Sequence, residues 1–424
     1  MDTFINIFNV LLGAVFTVFF GYQFIYIIVG LIKKPKIPEA GKCHKYGIII
    51  AARNEANVIG QLIESIHMQN YPQQLLEIFV VADNCTDKTA SVARELGATV
   101  YERNNRNQVG KGYALDFLLK NIMEDKKDEE IDAFMFFDAD NLLDKNFIYE
   151  MNKVFDMGYD IATSYRNSKN YASNWISAGY SLWFLRENKF LNSVRMSLKT
   201  SCSVSGTGFL VSKKIIHENE GWPYTCLTED IEFSVDSVIK GHVIGYAGKA
   251  ILYDEQPYEF KKSCKQRLRW AKGPYQVFSA YEGKLFKSIF RKKGFACYDL
   301  MMSITPIGII LSMIAIAVNA FFLLYSFFST PDALAADLTP VTLTSLLFTL
   351  LNGYFSFWII GFITTLSEWK NIHCTASEKI LYTFTLPIFM ASYVPIAIAA
   401  LFKKVEWNYI EHKVTKTVEE VVQK

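Results

Sequence analysis

"YGIIIAARNEANVIGQLIESIHMQ", residues 46–69, decides the fold. "YGIIIAA" (46–52) is an apolar run without alternation, the pattern of a strand covered on both faces. "NEANVIGQLIESIHMQ" then reads as a helix, with Arg53, Asn54 and Glu55 at the junction. The same succession recurs downstream. "LEIFVVAD" (76–83) predicts a second strand, "KTASVARELG" a second helix and "IDAFMFFDAD" (131–140) another strand. Strands alternating with helices predict an α/β domain built on a parallel sheet with helices on its faces. Gly97 and Gly241 stand where helices should stop.

In open parallel sheets ligands bind beyond the carboxyl ends of the strands. Polar residues collect at those ends: Arg53, Asn54 and Glu55, then Asp83 and Asn84, then Asp138 and Asp140. Asn and Asp also favour the turns and caps that follow strands, but three clusters at equivalent ends point to one pocket. Neither GxGxxG nor GxxxxGK[ST] occurs, which excludes a conventional dinucleotide or P-loop site. "FFDADN" sets two carboxylates two residues apart where a strand runs out, an arrangement that suits a hard divalent cation, Mg²⁺ or Mn²⁺. "TCLTEDIEFSVDSVIKG" puts Thr228, Glu229 and Asp230 at the start of a helix. There a carboxylate either complements the helix dipole or faces the pocket as a base. "SGTGFLVS" (205–212) flanks Thr207 with Gly206 and Gly208, which permits close approach of backbone to a substrate or simply makes a tight turn.

The chain has 424 residues and a net charge of only +2, which argues against nucleic acid. Four windows lack Asp, Glu, Lys and Arg: 4–32, 300–328, 338–367 and 380–402. Each exceeds the roughly 20 residues that a helix needs to cross a bilayer, so the chain reads as an integral membrane protein. Lys33, Lys34 and Lys36, directly after the first window, place the succeeding domain in the cytosol. The seven cysteines form no CxxC pair, as suits a reduced compartment without structural zinc, and the sequon "NCT" at Asn84 would stay unmodified there. The expected organisation is an N-terminal anchor (1–35), a cytosolic domain (36–280), an amphipathic interface helix (281–298), C-terminal transmembrane helices (299–403) and a tail (404–424).

"QRLRW" (266–270) stands just before the chain turns apolar. The ordered series "AARNEANVIG", "VVADNCTDKTA", "GKGYAL", "DAD", "SGTGF", "TED" and "QRLRW" resembles the membrane-embedded, processive members of glycosyltransferase family 2. These include cellulose, chitin, hyaluronan and bacterial poly-N-acetylglucosamine synthases. The resemblance implies a GT-A fold in a bacterial plasma membrane, a UDP-sugar donor (UDP-glucose or UDP-N-acetylglucosamine), a polysaccharide acceptor and inversion at the anomeric carbon. It places Ala52, Arg53, Glu55 and Asp83 around the nucleoside and Lys111 near the nucleotide. It gives Asp138, Ala139 and Asp140 to the diphosphate and metal, Asp230 to the general base, and Gly206, Thr207, Gly208, Glu229 and Asp230 to the acceptor. Gln266, Arg269 and Trp270 would close the site, with Arg269 on the diphosphate and Trp270 under the acceptor sugar.

A growing polymer would leave through a channel lined by Asn319, Asn352, Tyr354, Trp358 and Tyr382, polar or aromatic groups within the spans. A single addition to a membrane lipid shares the donor site and is the alternative; no sequence feature points to partner subunits. Three crossings after the enzyme domain would leave the tail outside. A cytosolic tail, with Trp407, His412 and Lys413 near the diphosphate, therefore requires window 380–402, broken by Pro387 and Pro395, to re-enter or lie in the interface.

Overall fold

The computed structural model describes residues 2–126, 130–329, 334–407, 409, 412 and 414–422. Lys413 lies outside the described residues. Two apolar helices come first, α1 (Asp2–Phe20) and α2 (Tyr22–Ile32). The α/β domain then runs β1 (Tyr46–Ala52), α3 (Ile59–His67), β2 (Leu76–Asp83), α4 (Thr89–Glu95), β3 (Thr99–Arg103), α5 (Lys111–Asp125), β4 (Ala133–Asp138) and β5 (Leu142–Leu143). It continues through α6 (Phe147–Asp156), β6 (Ile161–Ser168), α7 (Trp175–Arg186), α8 (Ser193–Ser197), β7 (Phe209–Ser212), α9 (Lys213–Glu218), α10 (Glu229–Lys240) and β8 (Ile244–Asp254).

The eight strands form one sheet in the order β3-β2-β1-β4-β7-β6-β8-β5. β3, β2, β1 and β4 are parallel, and the reversal comes at β7, which runs antiparallel to both β4 and β6. Alternate residues of β1 feed the two cores: Ile49 packs with Phe79, Phe134 and Phe209, while Ile48 and Ile50 pack with Leu62, Ile63 and Met151. That is why the run needed no polar face. Gly97 and Gly241 take left-handed φ values of 86° and 94° where their helices end. "FLVS" of the segment at 205–212 is a strand, which periodicity over four residues could not announce.

"QRLRW" lies within a single 30-residue helix, α11 (Phe260–Ile289), which therefore continues past the expected boundary at 280. α12 (Phe295–Ile304) follows, then α13 (Ile307–Ser329), α14 (Leu334–Ser367), α15 (Ala376–Phe402) and the short α16 (Val418–Val422). Among the described residues four helices are long and apolar enough to cross a membrane: α1, α13, α14 and α15. They are not alike, because 28% of the α15 window is buried against 6% in each of the others.

One latch ties the apolar helices to the α/β domain and a second joins two of them to each other. Asp299 of α12 accepts from Arg195 Nε at 2.8 Å and Nη2 at 2.9 Å, and from the hydroxyls of Tyr22 and Tyr26 at 2.9 Å each. Asn9 of α1 and Asn319 of α13 exchange amide hydrogen bonds at 3.1 and 2.9 Å, a pairing that low-dielectric surroundings favour.

Candidate active site

The loops after β1 and β2 are sewn together before any ligand arrives. Glu55 N donates to Thr89 Oγ1 at 2.9 Å and Thr86 N donates to Asn54 Oδ1 at 2.8 Å. Asn54 and Asn84 both adopt left-handed φ, 58° and 52°, conformations that Asn tolerates better than most side chains. The turn lets Ala52, Arg53 and Glu55 face a common cavity. Asp83, at the end of β2, accepts from Arg103 Nη1 of β3 at 2.6 Å, a buried partner that no motif announced.

At the end of β4 the backbone N–H of Asp138 donates to Thr207 Oγ1 at 2.9 Å and to Asn141 Oδ1 at 3.1 Å. Lys111, the first residue of α5, donates to the Asp138 carboxylate and, at 2.6 Å, to the carbonyl of Gly206. Burial pulls the Lys111 ammonium down, but Asp138, Glu229 and Asp230 outweigh it and hold the ammonium above its usual range. Asp140 Oδ2 accepts from Glu255 N at 3.2 Å.

α10 starts at Glu229, so Glu229 and Asp230 stand in its first turn. Burial pushes both acids up, and Asp230 adds to the push on Glu229, which reaches about 7. α11 approaches this turn so closely that a β-carbon on Gly273 would lie 2.8 Å from Thr228 Cβ. A larger residue there would move "QRLRW" away from "TED". Trp270 is held edge-on by Tyr180 at 5.5 Å and Phe184 at 6.0 Å, with the Arg166 guanidinium 6.0 Å from its ring. Pro274 lacks the N–H that would bond the Trp270 carbonyl, so that carbonyl is released within the helix.

One cavity of about 2090 Å³ takes in Ala52, Arg53, Glu55, Asp83, Lys111, Asp138, Ala139, Asp140, Gly206, Glu229, Asp230, Gln266, Arg269 and Trp270. Thr207 and Gly208 are the two expected residues it leaves out. The Thr207 side chain is spent holding the end of β4. Gly208 has φ 64° and backs onto Leu252 and Ser164, which leave no space for a side chain there.

Gln266 Oε1 is buried without a partner in the wall, and Arg269 makes no ion pair among the described residues. Burial pulls the Arg269 guanidinium down against Glu229, Asp138 and Asp230. An unpartnered amide oxygen and an unpaired guanidinium beside grouped carboxylates leave room for an anionic, polar ligand.

The sequence reading missed Arg166 and Asp254, an ion pair in the same wall whose members come from β6 and β8. They are far apart in the chain and no local pattern marks them.

The tail reaches the same rim. Trp407 lies 5.2 Å over Arg53, Tyr409 donates to the Asn54 carbonyl at 2.7 Å, His412 Nδ1 is 3.0 Å from Glu55 Oε1, and Val414 N donates to Glu255 at 2.9 Å. Burial lifts Glu55 to about 7 in spite of His412. Burial pulls the His412 imidazole down, but Asp140, Glu55 and Glu255 overcome it and hold it up to about 10.

Away from the donor end the cavity continues between α1, α2, α13, α14 and α15, past Phe20, Phe24, Ile309, Phe348 and Pro387. Of the expected channel residues, Asn352 and Tyr354 line it. Asn319 is turned to Asn9, Trp358 stacks on Phe362 and meets Phe384 at a tilt, and Tyr382 packs on Tyr171.

The chain is similar to several known proteins. A protein called a probable glycosyltransferase, YdaM of Bacillus subtilis, is 25% identical over 306 residues, which cover 66% of this chain and 67% of that protein. A β-monoglucosyldiacylglycerol synthase of a Nostoc species is 25% identical over 57% of this chain and 51% of its own length. A poly-β-1,6-N-acetyl-D-glucosamine synthase of Staphylococcus aureus is 24% identical over 63% of each. Among solved structures, the mannosyltransferase PcManGT of Pyrobaculum calidifontis, described in complex with GDP-Man and Mn²⁺, superposes with a TM-score of 0.56. It covers 92% of this chain and 98% of its own at 16% identity, a likeness of fold. The family model described as glycosyltransferase-like family 2 matches residues 44–273, more than half of the chain and the whole span from β1 to "QRLRW". The chain is a family 2 glycosyltransferase.

Proposed function

We propose that this enzyme transfers glucose or N-acetylglucosamine from its UDP derivative, with inversion, to a hydroxyl of an acceptor delivered from the inner leaflet of a bacterial plasma membrane. The observation that carries the reading is the single cavity joining Asp138, Asp140, Asp230, Arg269 and Trp270 to the cleft between the apolar helices.

In the transfer the acceptor oxygen bonds to the anomeric carbon, the bond from that carbon to the diphosphate breaks, and the diphosphate leaves with the electron pair. Asp230 takes the acceptor proton, a task that suits a carboxylate raised by burial toward the working pH. Lys111, Arg269 and Arg53 gather the diphosphate charge, Asp83 holds the nucleoside end, and Trp270 gives the acceptor a flat apolar face. No group of three or more His, Cys, Asp or Glu at metal-binding spacing exists among the described residues, yet Asp138 and Asp140 fit a cation that draws its remaining ligands from the diphosphate. Such a cation, when bound, neutralises charge on the leaving group.

The membrane geometry favours a lipid acceptor. Helices are cylinders of about 10 Å, so a closed ring of four leaves a bore only about 4 Å wide and a ring of three about 1.5 Å, too narrow for a hexose chain. This chain has at most four candidate crossings among the described residues. α15 is not free to be one. The connection that leads into it from α14 is tied to the catalytic domain by Tyr165 to Glu368 at 2.6 Å and Asn167 to the Asn371 carbonyl at 2.9 Å, and Phe389 within it packs on Tyr180. After its end at Phe402, only five residues lead to Trp407 over Arg53. Five residues reach at most about 18 Å, short of the roughly 30 Å that a crossing would interpose. Three crossings, α1, α13 and α14, then leave both the enzyme domain and the tail in the cytosol.

A polysaccharide acceptor is the second reading, supported by the synthase relative and by the ring of Trp270. It requires helices from another chain to complete a channel. Purified enzyme given labelled UDP-sugars with Mg²⁺ or Mn²⁺ and membrane lipid separates the two. An organic-soluble product bearing one sugar is expected, water-soluble polymer would favour the second reading, and no sugar transfer with any UDP-sugar would overturn both.

A further inference from the structure

The donor chemistry above uses Arg53 and Arg269 and leaves Arg186 unassigned. Arg186 ends α7, where the chain passes into a π-helical turn, Glu187–Asn192. Single π turns forfeit helix packing and concentrate at functional sites. The guanidinium lies 4.6 Å over the ring of Trp183, and its Nη2 donates to Gln23 Oε1 of α2 at 2.9 Å. No carboxylate among the described residues pairs with it, whereas its neighbours Arg166 and Arg195 have Asp254 and Asp299. Glu187 faces the same cavity without pairing to it, and burial pushes that acid up, toward its uncharged form. Burial also pulls the Arg186 guanidinium down to about 10 against Glu187, so the charge persists at neutral pH without a counter-ion. Arg186, Gln23 and Trp183 line the cavity beside Phe20, Phe24 and Ile27, where the donor pocket gives way to the apolar cleft.

We infer that Arg186 and Gln23 form an anion subsite for the phosphate of a lipid acceptor whose reacting hydroxyl lies beyond that phosphate, toward Trp270 and Asp230. The inference rests on the lipid reading. A half-buried guanidinium without a counter-ion is costly, and a phosphate that offers two oxygens to its planar fork offsets that cost. A lipid brings this phosphate to the cleft with an apolar chain that the helices can cover. A hydroxyl beyond the phosphate leaves Asp230 a proton to remove.

The test uses the full chain in an uncharged polyoxyethylene detergent and three matched probes: lysophosphatidylglycerol, monoacylglycerol and glycerol 3-phosphate, with binding read by calorimetry. Lysophosphatidylglycerol is expected to bind at least tenfold tighter than monoacylglycerol, and glycerol 3-phosphate not to bind at millimolar concentration. Arg186→Gln should reduce the phospholipid to the level of the neutral lipid, Arg186→Lys, which keeps the charge but loses the fork, should retain only part of the preference, and UDP affinity should stay the same in both. Equal binding of the two lipids, binding of glycerol 3-phosphate as tight as that of the lipid, or an unchanged preference in Arg186→Gln would overturn the subsite. If Arg186→Gln does not fold, Gln23→Leu replaces it and should cut the preference several-fold; an unchanged preference there counts equally against the subsite. Sugar transfer is scored apart: if only polymer forms while the binding pattern holds, the lipid-acceptor reading falls and the anion site stands.

Discussion

The two ends of the cavity are built on opposite principles. At the donor end the groups at the strand ends have fixed partners: Asp138 on Lys111 and Thr207, Asp83 on Arg103, Arg166 on Asp254. Such a network costs no reorganisation when charge develops, which is what stabilising a departing diphosphate requires. At the membrane end Phe20, Phe24, Ile309 and Phe348 dominate the walls, and the polar groups between them, such as Ser312, Thr349 and Asn352, are uncharged. Apolar contact is non-directional, so this end can admit a chain without dictating its pose. Chemistry is specified at one end and access at the other, and Trp270 lies between them.

The sharpest way to break the comparison is Asp230→Asn. It should lower kcat about a thousandfold, within the usual range for loss of a general base, and leave UDP affinity nearly unchanged. Turnover from UDP release and nucleotide affinity from calorimetry check it; a change in affinity alone would move Asp230 from the reacting end to the binding end.

Next comes the latch that holds the membrane end in place. Asp299→Ala strands a buried guanidinium, Arg195, and should cost about 3–5 kcal/mol of stability. Thermal unfolding followed with and without UDP would show a lowered Tm with the nucleotide-induced increment retained.

Trp270→Ala tests the boundary between the ends. Loss of one aromatic face is worth about 0.5–1.5 kcal/mol, so the acceptor KM should rise up to about tenfold while the donor KM holds.

The smallest effect concerns the tail. His412 is held up in the docked state by Asp140, Glu55 and Glu255, so that state binds more protons than a released tail. The docking stability this supplies is complete below the ordinary imidazole range and is lost as pH rises through about 10. Limited proteolysis between Trp407 and Thr417 should quicken several-fold from pH 6 to pH 10, and a His412→Gln variant should lose most of that dependence.

Much of the donor end was legible in order along the chain. β1 and β2 coincide with "YGIIIAA" and "LEIFVVAD", because a strand buried on both faces must be apolar throughout and stop where polarity begins. Fourteen of the sixteen expected site residues meet in one cavity for the same reason: motifs at strand ends are carried to one edge of a parallel sheet. Thr207 and Gly208 lie outside that lining, where their polarity and small size meet neighbours, and a sequence does not say which neighbour a hydroxyl will bond. The antiparallel β7 was invisible because four residues carry no usable period.

The sequence by itself determined the alternation of strands and helices, the apolar windows and the carboxylate motifs, since each is a local pattern enforced by backbone geometry or by the thickness of a bilayer. Only the tertiary structure decided that Arg166 pairs with Asp254, that Arg186 has no counter-charge among the described residues, and that the chain is tied to the catalytic domain on both sides of α15. Those facts depend on which distant surfaces meet, and pairing across a core is set by the sum of many weak contacts that no single stretch encodes.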